Sequence, residues 1–501
     1  MTDTAPAAKK PRWWLFVGVA AAAAVITFVI TALVANIFGN KQDAKIATYK
    51  RLVTITDTTY DSATWGQNFP VQYDLFKATA EFEPTVFNDA LVPADKDRVD
   101  DGVADGHEDG APLPEARDKI TKSKIEADPR LKKMWAGYAF AIDYGHLRGH
   151  EYMLIDQQNT RRVLQRPQAG ACLNCHASLP EVLDALDSTD RAAGWDIMNG
   201  MKYGEAAAYA KAPVGCIDCH DPKTMELRIT RPALANGLTA WKQSQGISGY
   251  DVNKDATTSE MRSFVCAQCH SEYYMKGDEK TLTFPWADGL DANDQYSYYQ
   301  EAEFKDFEHK LTGAAIIKIQ HPEFETWTTS VHAANGVSCA DCHMPYVRDG
   351  GQKVSNHDVK SPMGDVNKSC GVCHPAGEEM LTTRVRTIQN RFVDSRDRAM
   401  DSLVVLIDDI VAAQEAGNVP QDRIDLALEY QRKATMYTDW LFSENSYGFH
   451  SPDYLQRLCS QALDASRIGQ LVLLGVDPAS LDPSDNSVQN LDDIANRGGT
   501  L

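Results

Sequence analysis

Cys172-Leu-Asn-Cys175-His176 is the first of five like units in this chain. The others are Cys216-Ile-Asp-Cys219-His220, Cys266-Ala-Gln-Cys269-His270, Cys339-Ala-Asp-Cys342-His343 and Cys370-Gly-Val-Cys373-His374. The spacing has a chemical reason. Two thiols three positions apart can form thioethers to the two vinyl groups of one haem, and the adjacent histidine turns its imidazole to the iron as proximal ligand. Zinc uses Cys-x-x-Cys pairs in twos and needs no histidine after each. The units therefore imply five covalently bound c-type haems, with His176, His220, His270, His343 and His374 as proximal ligands. Of the 11 cysteines only Cys459 is left over, and it reads as a small buried apolar residue.

Residues 172–374 give about 40 residues to each haem, too few to wrap one in a private core. The haems must share walls, and closely packed haems conduct electrons, so a multi-electron process follows. Eleven cysteines in 501 residues are too sparse for a disulfide scaffold. Asp and Glu outnumber Lys and Arg by 70 to 50, a net charge of −20, which a nucleic-acid backbone would repel.

The ends carry different signals. Residues 13–38 hold no charge and are long enough to span a bilayer. Lys9, Lys10 and Arg12 precede them, which leaves residues 1–12 in the cytoplasm and exports the rest. A cleaved signal peptide would have a shorter apolar core ending in a small-x-small site, so an uncleaved anchor is the expectation. Residues 93–129 turn to Asp, Gly, Lys and Pro, without the regular order of a calcium loop, and read as a solvated loop. After His374 the apolar spacing becomes helical, through Leu381, Val385, Ile388 and Phe392, then Met400 to Val411, with Gly417 and Pro420 ending that helix. Further helices are expected over about 421–443 and 452–474. These three fill residues of about 378–475 and pack on the haem body or on a second subunit. Residues 477–501 form a polar tail.

Eight histidines are not proximal: His107, His146, His150, His309, His321, His332, His357 and His450. A pure electron carrier would take five of them to fill every sixth iron position, whereas a catalytic haem leaves one position open. The count permits both.

Four local matches carry a resemblance: Asp143-Tyr-Gly-His-Leu-Arg-Gly-His150, Cys266-Ala-Gln-Cys-His-Ser-Glu-Tyr-Tyr274, Lys318-Ile-Gln-His-Pro-Glu323 with Trp327, and Cys339-Ala-Asp-Cys-His-Met-Pro345. In these the sequence resembles the pentahaem, ammonia-forming cytochrome c nitrite reductases over about residues 132–452. The resemblance implies a mainly α fold with little β-sheet, a haem-packed core and long C-terminal helices. Residues 39–476 would then be an exported pentahaem catalytic domain, and the chain a homodimer, as in the family. It implies an open distal side on the haem of Cys172, Cys175 and His176. Arg162, with Arg161 as the competing choice, Tyr273 and His321 match the active-site residues. His150, His332, His357 and His450 match distal ligands of the other four haems. Glu272, Tyr273, Lys318 and Gln320 match a calcium site, the tyrosine and lysine through main-chain carbonyls. Many members carry lysine where this chain has His176, so it resembles the histidine-ligated variant. Many members also dock on a separate membrane quinol-oxidising multihaem cytochrome as electron donor, whereas this chain carries its own apolar segment.

Reduction of nitrite to ammonium needs six electrons and eight protons, which suits a haem wire feeding one open haem. Nitrite is an anion, so Arg162, His321 as proton donor and the calcium would supply a local cationic pocket. Tyr273 would donate a hydrogen bond or proton to later intermediates. Two other classes fit the same motifs: a membrane-anchored electron-transfer cytochrome with no substrate, and a related multihaem reductase of sulfite or hydroxylamine.

Overall fold

The computed structural model describes residues 13–46, 51–93 and 119–481. Residues 1–12, the Asp-rich stretch 94–118 with His107, and 482–501 of the expected polar tail lie outside the described residues. The chain divides into two units, Met1–Thr54 and Ile55–Leu501. In the first, helix α1 (Trp13–Ile46) runs eight residues past the apolar stretch. Its segment Val17–Phe38 would rise about 33 Å. Val17, Ile26, Phe28, Leu33 and Phe38 are all exposed, with no polar face set against them.

The second unit is mainly helical. Its strands, among the described residues, are two to four residues long and form four separate antiparallel pairs. One pairs Leu91–Pro93 with Lys119–Thr121, and a short helix follows at Lys124–Ala127. The expected solvated loop therefore ends earlier than residue 129. Ile120, Ile125 and Leu131 are buried and draw this stretch into the body.

Three long antiparallel-connected helices close the chain: α2 (Glu378–Ala416), α3 (Gln421–Ser443) and α4 (Pro452–Leu473). Glu378 and Glu379 sit at the positive end of α2. Gly417 ends it at φ 63°, in the left-handed region where a side chain is disfavoured. Proline opens α4 at a position that has no intrahelical donor to lose. Val385, Phe392, Met400, Leu403, Ile407 and Ile410 form the buried stripe of α2. Gly469 lets α4 approach it, since a Cβ there would lie 2.9 Å from Leu406. Cys459 is buried beside Tyr454, Leu455 and Leu458, as expected of an apolar filler.

The haem-motif segment is built of short turns rather than long helices. Leu173–His176, Cys216–Cys219 and Cys339–His343 are single helical turns, which set the first and fourth motif positions on one face. Acidic residues inside the motifs cap the second and third of these turns. Asp218 accepts from Gly215 N at 2.8 Å, and Asp341 from Ser338 N at 2.8 Å.

Candidate haem centres and active site

The middle residues of the motifs hold the attachment turns together. Asn174, Asp218 and Gln268 are almost fully buried. Arg231 is their common partner: Nε donates to Asn174 O at 2.6 Å, Nη2 to Ala177 O at 3.1 Å, and Nη1 lies 3.1 Å from Asp218 Oδ1. Gln268 Oε1 accepts from the main-chain N–H of Thr230 and Arg231. Most of this buried polarity is partnered, which makes it tolerable; the Asn174 Oδ1 atom is the exception, buried without a hydrogen bond. The Cys175 thiol also meets that of Cys269, and Cys266 meets Cys339. The first, third and fourth attachment sites are thus neighbours in space.

Histidine rings face each other in pairs. Ring centres lie 6.4 Å apart for His150–His270, 6.1 Å for His220–His357, 6.3 Å for His343–His450 and 6.3 Å for His332–His374. The planes meet at 50°, 36°, 66° and 89° respectively. Two metal–imidazole bonds of about 2.0 Å plus the two half-rings separate ring centres by roughly 6.3 Å. The observed spacing fits one iron between each pair. His321 is a second ring at that separation from His270, 6.3 Å away at 70°. Among the described residues no second histidine ring stands so placed from His176. Its Nδ1 donates to Met153 O at 2.9 Å, leaving Nε2 as the free nitrogen.

Around His176 the expected catalytic residues converge. Burial, then the charges of Arg162 and His321, pull its pKa down to about 4. Arg162, in the short helix Arg161–Gln165, lies with its guanidinium carbon 4.1 Å from the Phe140 ring centre and donates from Nη2 to Gln157 Oε1 at 3.1 Å. Arg162, not Arg161, is the cation that Cys172, His176 and Tyr273 feel. Tyr273 packs against the core under the first attachment turn, and burial holds its hydroxyl well above the ordinary phenol range. His321 Nδ1 is buried without a hydrogen bond, 3.7 Å from Glu323 Oε1. Glu323 in turn accepts from Asn445 Nδ2 at 2.5 Å.

Glu272, Lys318 and Gln320 also meet. Glu272 is fully buried; Oε1 accepts from Tyr299 OH at 2.9 Å and Oε2 from Gln320 N at 2.5 Å. Gln320 Nε2 reaches Lys318 O at 3.4 Å. The Lys318 ammonium points away, to Asp439 Oδ1 at 3.0 Å and Ser443 Oγ at 3.1 Å. The Lys318 charge is thus spent elsewhere, and burial drives the Glu272 carboxyl well above the ordinary range. Among the described residues no three His, Cys, Asp or Glu side chains gather as a metal site. A cation here would draw on one carboxylate and on amide oxygens, a donor set of the calcium type.

Several of these residues escape a reading of the sequence: Gln157, Glu323, Asn445, Arg231 and Glu444, the partner of His450. The polar middle residue in four of the five motifs was the one available signal. His309, without a role in the sequence, is structural: Nε2 bonds Lys133 O at 2.7 Å and Nδ1 bonds Thr312 Oγ1 at 3.1 Å. His146 is half-buried, away from the paired rings, and burial lowers it to about 4.

Five Cys-x-x-Cys-His turns on a mainly helical fold define a multihaem c-type cytochrome. The chain belongs to the cytochrome c552 family, whose model matches residues 61–481. It is 33% identical to cytochrome c-552 of Bacteroides fragilis over 469 residues, 92% of this chain and 85% of the relative. It is 34% identical to that of Parabacteroides distasonis over 468 residues, with the same coverage. Among solved structures it is similar to the catalytic subunit of cytochrome c nitrite reductase from Desulfovibrio desulfuricans, described with two calcium sites. That match has a TM-score of 0.69 and 28% identity, covering 86% of this chain and 89% of the other.

Proposed function

We propose that this chain reduces nitrite to ammonium at the centre of Cys172, Cys175 and His176, fed with electrons through four bis-histidine haems. One observation carries the reading: four of the five proximal histidines face a second ring at iron-spanning distance, and among the described residues none so faces His176. The pairs are His150 with His270, His357 with His220, His450 with His343 and His332 with His374. His321 is kept for the substrate because its charge reaches His176 as well as lying near His270. When bound, the haems supply one-electron storage and transfer, and the haem on His176 supplies an open coordination position.

The residues do the rest. A net charge of −20 repels an anion, so the Arg162 guanidinium must supply the local attraction. Its planar fork suits two oxygens at once. Phe140 and Gln157 hold it, so little order need be gained on binding. His321 would hand protons to oxygen as the N–O bonds break, a role supported by Glu323 beside its ring. Tyr273 keeps its proton and acts as a hydrogen-bond donor. Glu272, the carbonyls of Tyr273 and Lys318, and the Gln320 amide would hold a calcium ion. That ion adds fixed positive charge beside Tyr273.

Helix α1 anchors the chain in the cytoplasmic membrane, with residues 39–476 on the outer side. A membrane quinol-oxidising multihaem cytochrome delivers the electrons, and α2 to α4 support a homodimer. The test uses the purified, fully haemylated protein with a reduced viologen dye. One ammonium per nitrite, with six electrons consumed and one high-spin haem in five, is expected. No ammonium, with all five haems low-spin, would show an electron carrier instead. Faster turnover of sulfite or hydroxylamine would move the assignment to those substrates.

A further inference from the structure

The five Nδ1 bonds seen on these histidines are not alike. His176, His220, His343 and His357 bond main-chain carbonyls, of Met153, Met225, Lys360 and Ser355, at 2.9–3.0 Å. His450 instead bonds a carboxylate: its Nδ1 lies 2.5 Å from Glu444 Oε1. The Glu444 side chain is fully buried. Its second oxygen accepts from Ser446 Oγ at 2.7 Å and Ser446 N at 3.2 Å. Ser446 Oγ also accepts from His450 N at 2.8 Å, which closes a small ring of bonds between α3 and α4. Tyr447 and Gly448 hold positive φ, 53° and 91°, to turn the chain back through it.

We infer that Glu444 is a tuning residue for the haem on Cys339 and Cys342, lowering its reduction potential through His450. The inference rests on the proposed His343–His450 pairing. Nδ1 points at Glu444, so Nε2 is the nitrogen that faces His343 and carries no proton. The proton therefore sits on Nδ1, and Glu444 accepts it as an ionised carboxylate. Both groups bonded to its other oxygen are donors too, as an acceptor-only carboxylate requires. A negative acceptor on Nδ1–H makes the imidazole a stronger donor than a carbonyl does. Stronger donation favours the ferric state. The couple gains one electron, forms or breaks no bond, and leaves the proton on Nδ1. The fourth haem thus differs in kind from the first and second, whose histidines bond main-chain carbonyls, and it lies beside the third, at Cys266 and Cys339.

The experiment is a potentiometric titration of the holoprotein, followed by electron paramagnetic resonance, on wild type, E444Q, E444D and H450A. In E444Q one bis-histidine haem becomes easier to reduce by about tenfold in its equilibrium constant, 59 mV for a one-electron couple. The other four stay put. E444D, which keeps the charge, shifts less than E444Q and serves if E444Q fails to mature. H450A loses one bis-histidine signal. Unchanged potentials in E444Q, a shift to lower potential, or a shift spread over several haems would overturn the inference while H450A still upheld the pairing. Retention of all four bis-histidine signals in H450A would instead withdraw the pairing itself.

Discussion

Replacing Arg231 by methionine tests whether the polar node, rather than apolar packing alone, secures the attachment turns. The guanidinium is 1% exposed and is bonded to Asn174 O, Ala177 O and Asp218. Removing one member of a buried ion pair costs about 3–5 kcal/mol. Each orphaned buried carbonyl costs about 1–3 kcal/mol more. Asp218 keeps the N–H groups of Leu179 at 3.0 Å and Gly215 at 2.8 Å, which softens its loss. The net for R231M is about 5 kcal/mol. With an m-value of roughly 5 kcal/mol per molar for a chain this large, the guanidinium chloride midpoint falls by about 1 M. The assay is far-ultraviolet circular dichroism of the oxidised holoprotein against denaturant. A midpoint for R231M within about 0.2 M of wild type would refute the role given to this guanidinium.

R162A and H321A should each lower nitrite turnover by about 10²–10³ with all five haems attached, scored by ammonium formed. Calcium at about 100 times its Kd should stabilise the wild type by about 2.7 kcal/mol against thermal unfolding, and E272Q should show no such gain. Lys124 titrates through the alkaline range: burial lowers its pKa from 10.5 to about 8. Between those values the unfolded chain binds more protons than the native one, so this residue makes stability rise with pH. Thermal unfolding of wild type and K124M should therefore shift in the wild type's favour from pH 8 to 10; a constant difference would contradict the assignment.

The sequence showed most where covalent chemistry or strict periodicity leaves a mark. The haem motifs need fixed spacing, and the stripe from Val385 to Ile410 repeats at helical intervals, so both were legible. The α3 and α4 boundaries followed from Pro420, Gly417 and Pro452. The gathering of Arg162, Tyr273 and His321 was not, since nothing local ties residues so far apart; only the family resemblance supplied it. Arg231 and Glu444 were missed for a related reason. Each looks like an ordinary charged surface residue until its burial is known. The loop over 93–129 was drawn too long because its charge density hid Ile120 and Ile125.

The four facing ring pairs share a separation but not an angle, spreading from 36° to 89°. In a low-spin ferric centre the two imidazole planes set how far the upper d orbitals split. Parallel planes separate them and give a rhombic resonance; crossed planes leave them nearly degenerate and give one feature at very low field. Under the proposed pairing, the haem of His332 and His374 becomes the low-field centre and that of His220 and His357 the rhombic one. Each relay station would then carry its own spectral label, and electrons could be followed one station at a time.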